Sequence, residues 1–266
     1  MDDGPPEGGP SLDPAGRLGE ARLCKKPVEV YPMDGQRADP GFTAGERRTR
    51  RGGSIGAPGL ADSLKERTRL LHRQAERSGI IADILRGTAS QSGYVLLLRN
   101  LHRVYGALER SLEQVKADPV ISGLADPAVY RAEGLAQDLA ALFGATWQSS
   151  LPVLPAADHY AQRIEAVAES DPARLLGHAY TRYLGDLNGG RVLQRLLARN
   201  LGLQAGCLSF YDFAGVGDLE RFRGIYRERI NCAPLAPSQF HAVLDEGTRA
   251  FQDSIALSLA VRAAAP

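Results

Sequence analysis

The feature that most constrains this chain is a helix-like stretch interrupted by glycines. Residues 178–201 read HAYTRYLGDLNGGRVLQRLLARNL, and leucines recur at helical spacing on both sides of Gly185, Gly189 and Gly190. A glycine inside a helix costs about 1 kcal/mol relative to alanine. Three glycines so close together therefore need a physical reason.

Gly185 and Gly189 lie four residues apart, so they share one face of the predicted helix and leave that face without side chains. A bare face allows a tight crossing with a second helix, or the close approach of a large flat ligand, and it also gives the helix a place to bend. Asp186 borders this face. The spacing alone leaves both interpretations open.

From Leu60 onward the sequence has helical periodicity, which predicts one all-α helical domain over residues 59–262. The first helix has Asp62 or Ser63 as its candidate N-cap, and another begins after Pro127 and ends at Gly144. Only the segment SFYDF, residues 209–213, could be extended. The predicted helical segments outside the glycine-interrupted stretch are 60–78, 92–115, 126–144, 156–172, 218–231 and 238–261.

The first 58 residues differ from the rest of the chain. They contain 8 of the 16 prolines, many glycines and no apolar period, so they cannot bury enough surface to offset their ordering entropy. We predict a disordered extension. Its cluster RRTRRGG, residues 47–53, is typical of a solvated linker, although such a run can also touch RNA or a membrane.

Charge and cysteine content exclude several classes of protein. The net charge of +1 gives no sign of a nucleic-acid partner, and no apolar run approaches the roughly 20 residues needed to span a bilayer. Cys24, Cys207 and Cys232 are odd in number and lack C-x-x-C spacing, which favours a reducing compartment. We therefore expect a soluble cytoplasmic protein without a membrane anchor.

One helix face carries a histidine among charged residues. Lys65, Arg69, His72 and Glu76 lie at helical spacing, so Glu76 can reach one ring nitrogen of His72 while the two cations can bind carboxylates. The alternative is a solvated charged face with a local ion pair. The sequence has neither an H-E-x-x-H pattern nor a Glu-x-x-His pair, which argues against a zinc protease and a di-iron bundle.

Three segments together resemble a known family. LKERTRLLHRQAE (residues 64–76), HAYTRYLGDLNGG (residues 178–190) and FRGIYRERIN (residues 222–231) closely resemble the biliverdin-producing heme oxygenases, and the resemblance extends over residues 60–260. It implies a helical fold with heme between a proximal helix and a glycine-kinked distal helix. The first 58 residues have no counterpart in the usual members.

The resemblance also implies roles for the residues around the iron. His72 would be the iron ligand, with Glu76 close to its other nitrogen. Gly185 and Gly189 would lie over the distal face of the heme. Asp186 would hold the distal water network, supported by Tyr105 and Arg182. Asn188 stands where many members carry serine, and Ser254 stands where mammalian members carry asparagine.

A second group of residues would hold the heme carboxylates and the heme edge. The resemblance assigns this role to Lys65, Arg69, Tyr180, Arg223 and Arg227. Arg69 stands where many members carry lysine, which keeps the charge but changes its geometry. Because basic residues set which ring edge faces the distal helix, we expect cleavage at the α-meso carbon.

The reaction implied by the resemblance consumes heme, dioxygen and electrons and yields biliverdin, carbon monoxide and ferrous iron. The electrons would come from a soluble donor such as a ferredoxin, a flavodoxin or an NADPH-dependent reductase. Two other interpretations remain: a heme carrier or sensor that has lost turnover, and a helical domain that binds no heme.

Overall fold

The computed structural model describes residues 58–265. The predicted extension up to residue 57, with its arginine cluster and Cys24, lies outside the described residues. The described part contains α-helices joined by short 3₁₀ turns and has no β-strand, so the all-α prediction is confirmed. The α-helices are α1 (Leu60–Glu76), α2 (Gly79–Arg86), α3 (Gln91–Gln114), α4 (Ala132–Phe143), α5 (Trp147–Ser150), α6 (Pro155–Ser170), α7 (Leu175–Ala179), α8 (Gly185–Leu201), α9 (Leu219–Asn231) and α10 (Pro237–Ala264).

Three local predictions were wrong. The N-cap of α1 is Gly59 rather than Asp62 or Ser63, because the helix begins earlier, at Leu60, whose side chain is buried. The segment after Pro127 forms only a 3₁₀ turn to Val129 before α4 begins. Residues 209–213 begin with a 3₁₀ turn rather than a strand, since Asp138 accepts hydrogen bonds from two backbone amides there.

The core forms around two long helices. The last helix, α10, packs against α1, α2, α6 and α7, while α3 packs against α4 and α6. Along α3 one side is lined with residues that solvent hardly reaches, including Leu98, Val104, Tyr105 and Leu108. This core fixes the positions of α1 and α8, which carry the residues singled out by the sequence. None of the described helices is long and apolar enough to cross a bilayer.

A close helix crossing lies where α7 meets α10. A Cβ atom added at Gly177 would lie 2.6 Å from the backbone nitrogen of Gly247, and one added at Gly247 would lie 2.5 Å from Cδ2 of Leu64. At Gly177 the neighbouring atoms are backbone, so only glycine fits there, whereas the Leu64 side chain can shift away from a methyl group at Gly247. The tight crossing in this part of the chain is therefore at Gly177 and Gly247, which the sequence analysis did not single out.

Beside this crossing, a buried carboxylate joins three segments to α10. Glu246 is fully buried and accepts hydrogen bonds from Arg163 on α6, at 2.6 and 2.8 Å. Arg174, in the 3₁₀ turn Pro172–Arg174, also binds it, and Nε2 of His178 lies 3.1 Å from its Oε1. We call these four residues the Glu246 cluster. It fixes the start of the HAYTRYL segment against α10.

Candidate functional site

A cleft of about 570 Å³ opens between α1, residues 180–188, α9 and Phe251 of α10. Its volume lies within the usual range of small-molecule and cofactor sites. Its lining contains seven of the residues singled out by the sequence, namely Lys65, Arg69, His72, Tyr180, Gly185, Arg223 and Arg227. We call Gly185 and Gly189 the glycine strip. The structure therefore brings the charged face of α1, one residue of the glycine strip and the basic residues of α9 to one cavity.

His72 lines the cleft from α1. Its Nδ1 lies 3.5 Å from Oε1 of Glu76, one turn further along the helix, and its ring packs at 5.9 Å from the ring of Phe251. A carboxylate at Nδ1 favours the tautomer that leaves Nε2 as the free electron-pair donor. Glu76 does not line the cleft itself, so it can act only through His72.

The glycine strip follows a short π-helical turn. Residues Tyr180–Leu184 form this turn and α8 begins directly after it at Gly185, so the helix is irregular just before the glycines. Such π turns are frequent at functional sites. The helix is therefore irregular in the turn before Gly185, and the bend that the glycines suggested stays a prediction.

Gly185 and Gly189 face open space. A Cβ atom added at either position would meet no atom within 4 Å outside its own local helix, whereas one added at Gly190 would lie 3.3 Å from Tyr211. The tight-crossing interpretation is therefore wrong for Gly185 and Gly189. The missing side chains leave room for something outside the protein, and Gly185 opens directly into the cleft.

Asp186 lies beside the strip, with its carboxyl group turned toward the protein. The hydroxyl of buried Tyr105 donates a hydrogen bond to its Oδ2, and the guanidinium carbon of Arg182 lies 5.8 Å from the Tyr105 ring centre. Burial raises the pKa of Asp186 to about 6, while Arg182, Tyr105 and Arg131 oppose this rise. A carboxyl group with this pKa can both accept and return a proton near neutral pH.

Asp186, Arg182, Tyr105 and Gly189 are not part of the cleft lining. Asp186, Arg182 and Tyr105 are linked to one another by contacts, and Nε of Arg182 is buried without a hydrogen-bond partner among the described residues. Buried unpaired donors are usually satisfied by ordered water. Asp186, Arg182 and Tyr105 are therefore better placed to hold a network of ordered water than to contact a ligand in the cleft directly.

Basic side chains surround the mouth of the cleft. Arg69 pairs with Glu66 at 3.2 Å, Arg223 pairs with Glu220, and Arg227 pairs with Asp62. Lys65 lines the same mouth, as does Arg73, which the sequence analysis missed although it lies one helical turn after Arg69. These cations give the cleft an anion-binding edge.

Phe251, Thr68 and Asn188 also line the cleft and were not predicted as site residues. The hydroxyl of Thr68 donates to the carbonyl of Leu64, and Asn188 donates to the carbonyl of Leu184 at 2.6 Å. Both side chains thus satisfy their own helices. No local signal marks Phe251, because it reaches the cleft from a helix distant in sequence.

The residues of the cleft fit a flat iron macrocycle with carboxylate side chains. The open space at Gly185 accommodates a planar face, an imidazole with one nitrogen directed to a carboxylate suits an iron ligand, and the cations suit the carboxylates. Among residues 58–265, no three His, Cys, Asp or Glu side chains are placed to hold a metal ion between them.

Comparison with known proteins gives consistent results. The heme oxygenase family profile matches residues 58–259. The chain is 36% identical over 201 residues to heme oxygenase 1 of Bos taurus, covering 74% of this chain and 70% of that protein. It is 34% identical over 192 residues to heme oxygenase 1 of Synechocystis, covering 72% of this chain and 80% of that protein.

The fold is also similar to that of solved heme oxygenase structures. The structure of heme oxygenase-1 from Synechocystis in complex with heme superposes with a TM-score of 0.73 and 32% identity, over 76% of this chain and 91% of that one. The heme oxygenase of Leptospira interrogans gives a TM-score of 0.72 and 31% identity, over 76% of this chain and 99% of that one.

Proposed function

The chain belongs to the heme oxygenase family, and from this membership we infer that it is an enzyme that binds heme and cleaves it to biliverdin. We propose that dioxygen and electrons are its other substrates and that carbon monoxide and ferrous iron are the other products. The observation that carries the proposal is the cleft in which His72 and the open face at Gly185 meet.

His72 binds the heme iron through Nε2 in this proposal. Glu76, at 3.5 Å from Nδ1, fixes the orientation of the imidazole and increases its basicity. Phe251 packs against the imidazole ring and helps to hold it in position. Bound heme supplies both the iron that activates dioxygen and the ring that is oxidised.

The cations at the mouth orient the ligand. Lys65, Arg69, Arg223 and Arg227 bind its carboxylates, and Tyr180 packs at its edge. A hydrogen bond to a charged group contributes about 1.5–3 kcal/mol, so one or two such contacts favour one orientation of the ring more than tenfold. We propose that this orientation presents the α-meso edge to the distal helix.

The distal residues control space and protons. Gly185 and Gly189 keep side chains away from the reacting face, so small reactants can lie against the ring. Asp186 receives a hydrogen bond from Tyr105 at Oδ2, which leaves Oδ1 free to order water and pass a proton. Arg182 balances the negative charge of Asp186 from nearby.

A non-catalytic carrier or sensor is the less favoured alternative. The relatives in the comparison carry the name heme oxygenase, and the Tyr105–Asp186–Arg182 group does not line the cleft, so it is not placed to hold a ligand there. A protein that only carried heme would have no need of a carboxyl group held by a tyrosine hydroxyl directly after Gly185.

We also propose the setting of the reaction. The helical domain over residues 59–262 contains the whole site, so a shorter protein that begins near Leu60 should fold and turn over heme. The enzyme acts in the cytoplasm and receives its electrons from a soluble ferredoxin, flavodoxin or NADPH-dependent reductase.

The test is a hemin titration followed by a single turnover. A Soret band should develop, and reductant with dioxygen should then yield biliverdin, identified by absorbance and chromatography. In His72→Ala, hemin should still enter the cleft but turnover should be lost, and added imidazole should restore part of it. A Soret band without product would indicate a carrier, and no Soret band would exclude a heme site.

A further inference from the structure

The mouth of the cleft holds carboxylates as well as cations. Three acidic side chains lie against the cations, and together with the five cations they leave a net charge of +2. The acidic members are Asp62, Glu66 and Glu220, and the basic members are Lys65, Arg69, Arg73, Arg223 and Arg227. This net charge matches the two carboxylates of heme.

The three ion pairs differ in what they connect. Arg69–Glu66 and Arg223–Glu220 each lie within one helix, three residues apart. Arg227–Asp62 instead joins α9 to α1, and both side chains are about half exposed. Each pair occupies only one terminal nitrogen of its arginine, so a ligand carboxylate that binds Arg227 or Arg223 shares the guanidinium with Asp62 or Glu220 and competes with it for hydrogen bonds and charge.

We propose that Asp62 and Glu220 are competing carboxylates that keep the cleft from holding dicarboxylate tetrapyrroles too tightly, so that the product can leave. This inference rests on the proposed function. Lys65 and Arg73 form no ion pair with a carboxylate among residues 58–265, so they receive the first ligand carboxylate without competition.

Asp62 and Glu220 affect the release of the product because the product is held differently from heme. Opening the ring at a meso carbon and removing the iron leaves both carboxylate side chains intact, whereas the bond to His72 is lost. The product is then retained only by the cations and the apolar walls. The competition at Arg223 and Arg227 therefore determines how fast the product leaves, and it changes the affinity for hemin by a similar factor.

The experiment measures the dissociation constant of biliverdin for Asp62→Asn, Glu220→Gln and the double variant at low ionic strength. Because an exposed ion pair is a weak interaction, we expect about threefold tighter binding for each single variant and about tenfold for the double variant. Asp245→Asn is the matched control, since it removes the acid of another exposed pair of α1, Arg67–Asp245, outside the cleft.

Biliverdin dimethyl ester separates competition from a general change in charge or shape. The ester lacks the two negative charges, so its affinity should be the same in all variants. The difference between wild type and variants should also shrink as salt rises from about 0.01 M to 1 M, because the Debye length falls from about 30 Å to 3 Å. In steady-state turnover the double variant should have a lower kcat, because the product leaves more slowly.

Three results would overturn the inference: unchanged biliverdin affinity in the double variant, equal tightening for the ester, or equal tightening in Asp245→Asn. If wild type converts hemin to biliverdin in any of these cases, the proposed function stands and only the competing role of the acids fails. If wild type binds neither hemin nor biliverdin, the proposed function and this inference both fall.

Discussion

Gly177 and Gly185 lie eight residues apart in one continuous helical run, yet their surroundings are opposite. At Gly177 an added Cβ would lie 2.6 Å from the backbone of α10, whereas at Gly185 it would meet no atom within 4 Å. The first glycine is required by the packing of the protein against itself. The second is not, and it opens into the cleft that also contains His72.

The ionic groups of the two regions differ in the same way. In the Glu246 cluster beside Gly177, Glu246 and His178 are fully buried, while Arg163 and Arg174 are about a quarter exposed. The ion pairs at the mouth of the cleft, such as Arg227–Asp62, are exposed. Buried clusters break at high cost, whereas exposed pairs exchange partners at little cost. The fold is therefore stabilised in one region and left adjustable in the other.

The largest expected effect is the loss of the Glu246 carboxylate. Glu246→Gln should lower the free energy of unfolding by about 3–5 kcal/mol, because it leaves buried His178 and the two part-buried arginines without their carboxylate. The neighbouring exposed acid provides the control, and Asp245→Asn should cost about 0–1 kcal/mol. Urea unfolding followed by circular dichroism measures both. A loss below 1 kcal/mol in Glu246→Gln would show that the cluster does not hold the fold.

The second largest expected effect is a loss of stability in acid, through the same carboxylate. Burial raises the pKa of Glu246, but His178 and Arg163 outweigh it and lower the pKa to about 2. The folded protein thus holds this proton less tightly than the unfolded chain does. The resulting stability, about 3 kcal/mol, is present above pH 4.5 and is lost as pH falls toward 2. Unfolding curves at steps between pH 6 and pH 3 should show a pH dependence that Glu246→Gln reduces.

Gly177→Ala should have a smaller but clear cost. Its methyl group would press on the backbone of Gly247 and Glu246, which cannot move aside as a flexible side chain can. Overpacking of this kind costs about 1–3 kcal/mol, and thermal unfolding should reveal it. If Gly177→Ala is as stable as wild type, α7 and α10 leave enough space at Gly177 for a methyl group, and the crossing does not require glycine.

Gly185→Ala should have the smallest effect on stability, with the opposite sign. Alanine favours a helix over glycine by about 1 kcal/mol at most, and the open space at this position accepts a methyl group. The variant should therefore unfold at an equal or higher temperature while turning over heme more slowly. Lower stability would mean that the strip packs against protein after all.

The sequence predicted most of this arrangement where the signal is local. Helical spacing placed Lys65, Arg69, His72 and Glu76 on one face, and glycine spacing found the bare strip. The roles around Asp186 came only from the family resemblance. The structure adds the contact from Tyr105, which no local pattern reveals because 81 residues separate it from Asp186.

Other features could not be predicted because they depend on contacts between distant segments. Glu246 looks like an ordinary acid in a helix, and only its partners 68 to 83 residues away make it a buried cluster. The short helix α2 was not predicted. Its first residue, Gly79, has a positive φ and fits closely against the backbone of Ser258, and this contact between distant segments leaves no local pattern. The spacing of Gly185 and Gly189 could not reveal whether their bare face met protein or open space.

The most direct test of the whole account is Asp186→Ala, measured by hemin binding and by single-turnover biliverdin yield on the same sample. Since His72 and the cations provide affinity, hemin should bind within about threefold of wild type. Since general acid–base groups contribute about 10²- to 10⁴-fold, biliverdin formation should fall by at least a hundredfold. Asp186→Asn should retain part of the activity, because an amide can still order water. Biliverdin formation at the wild-type rate, or a loss of hemin binding, would contradict the account.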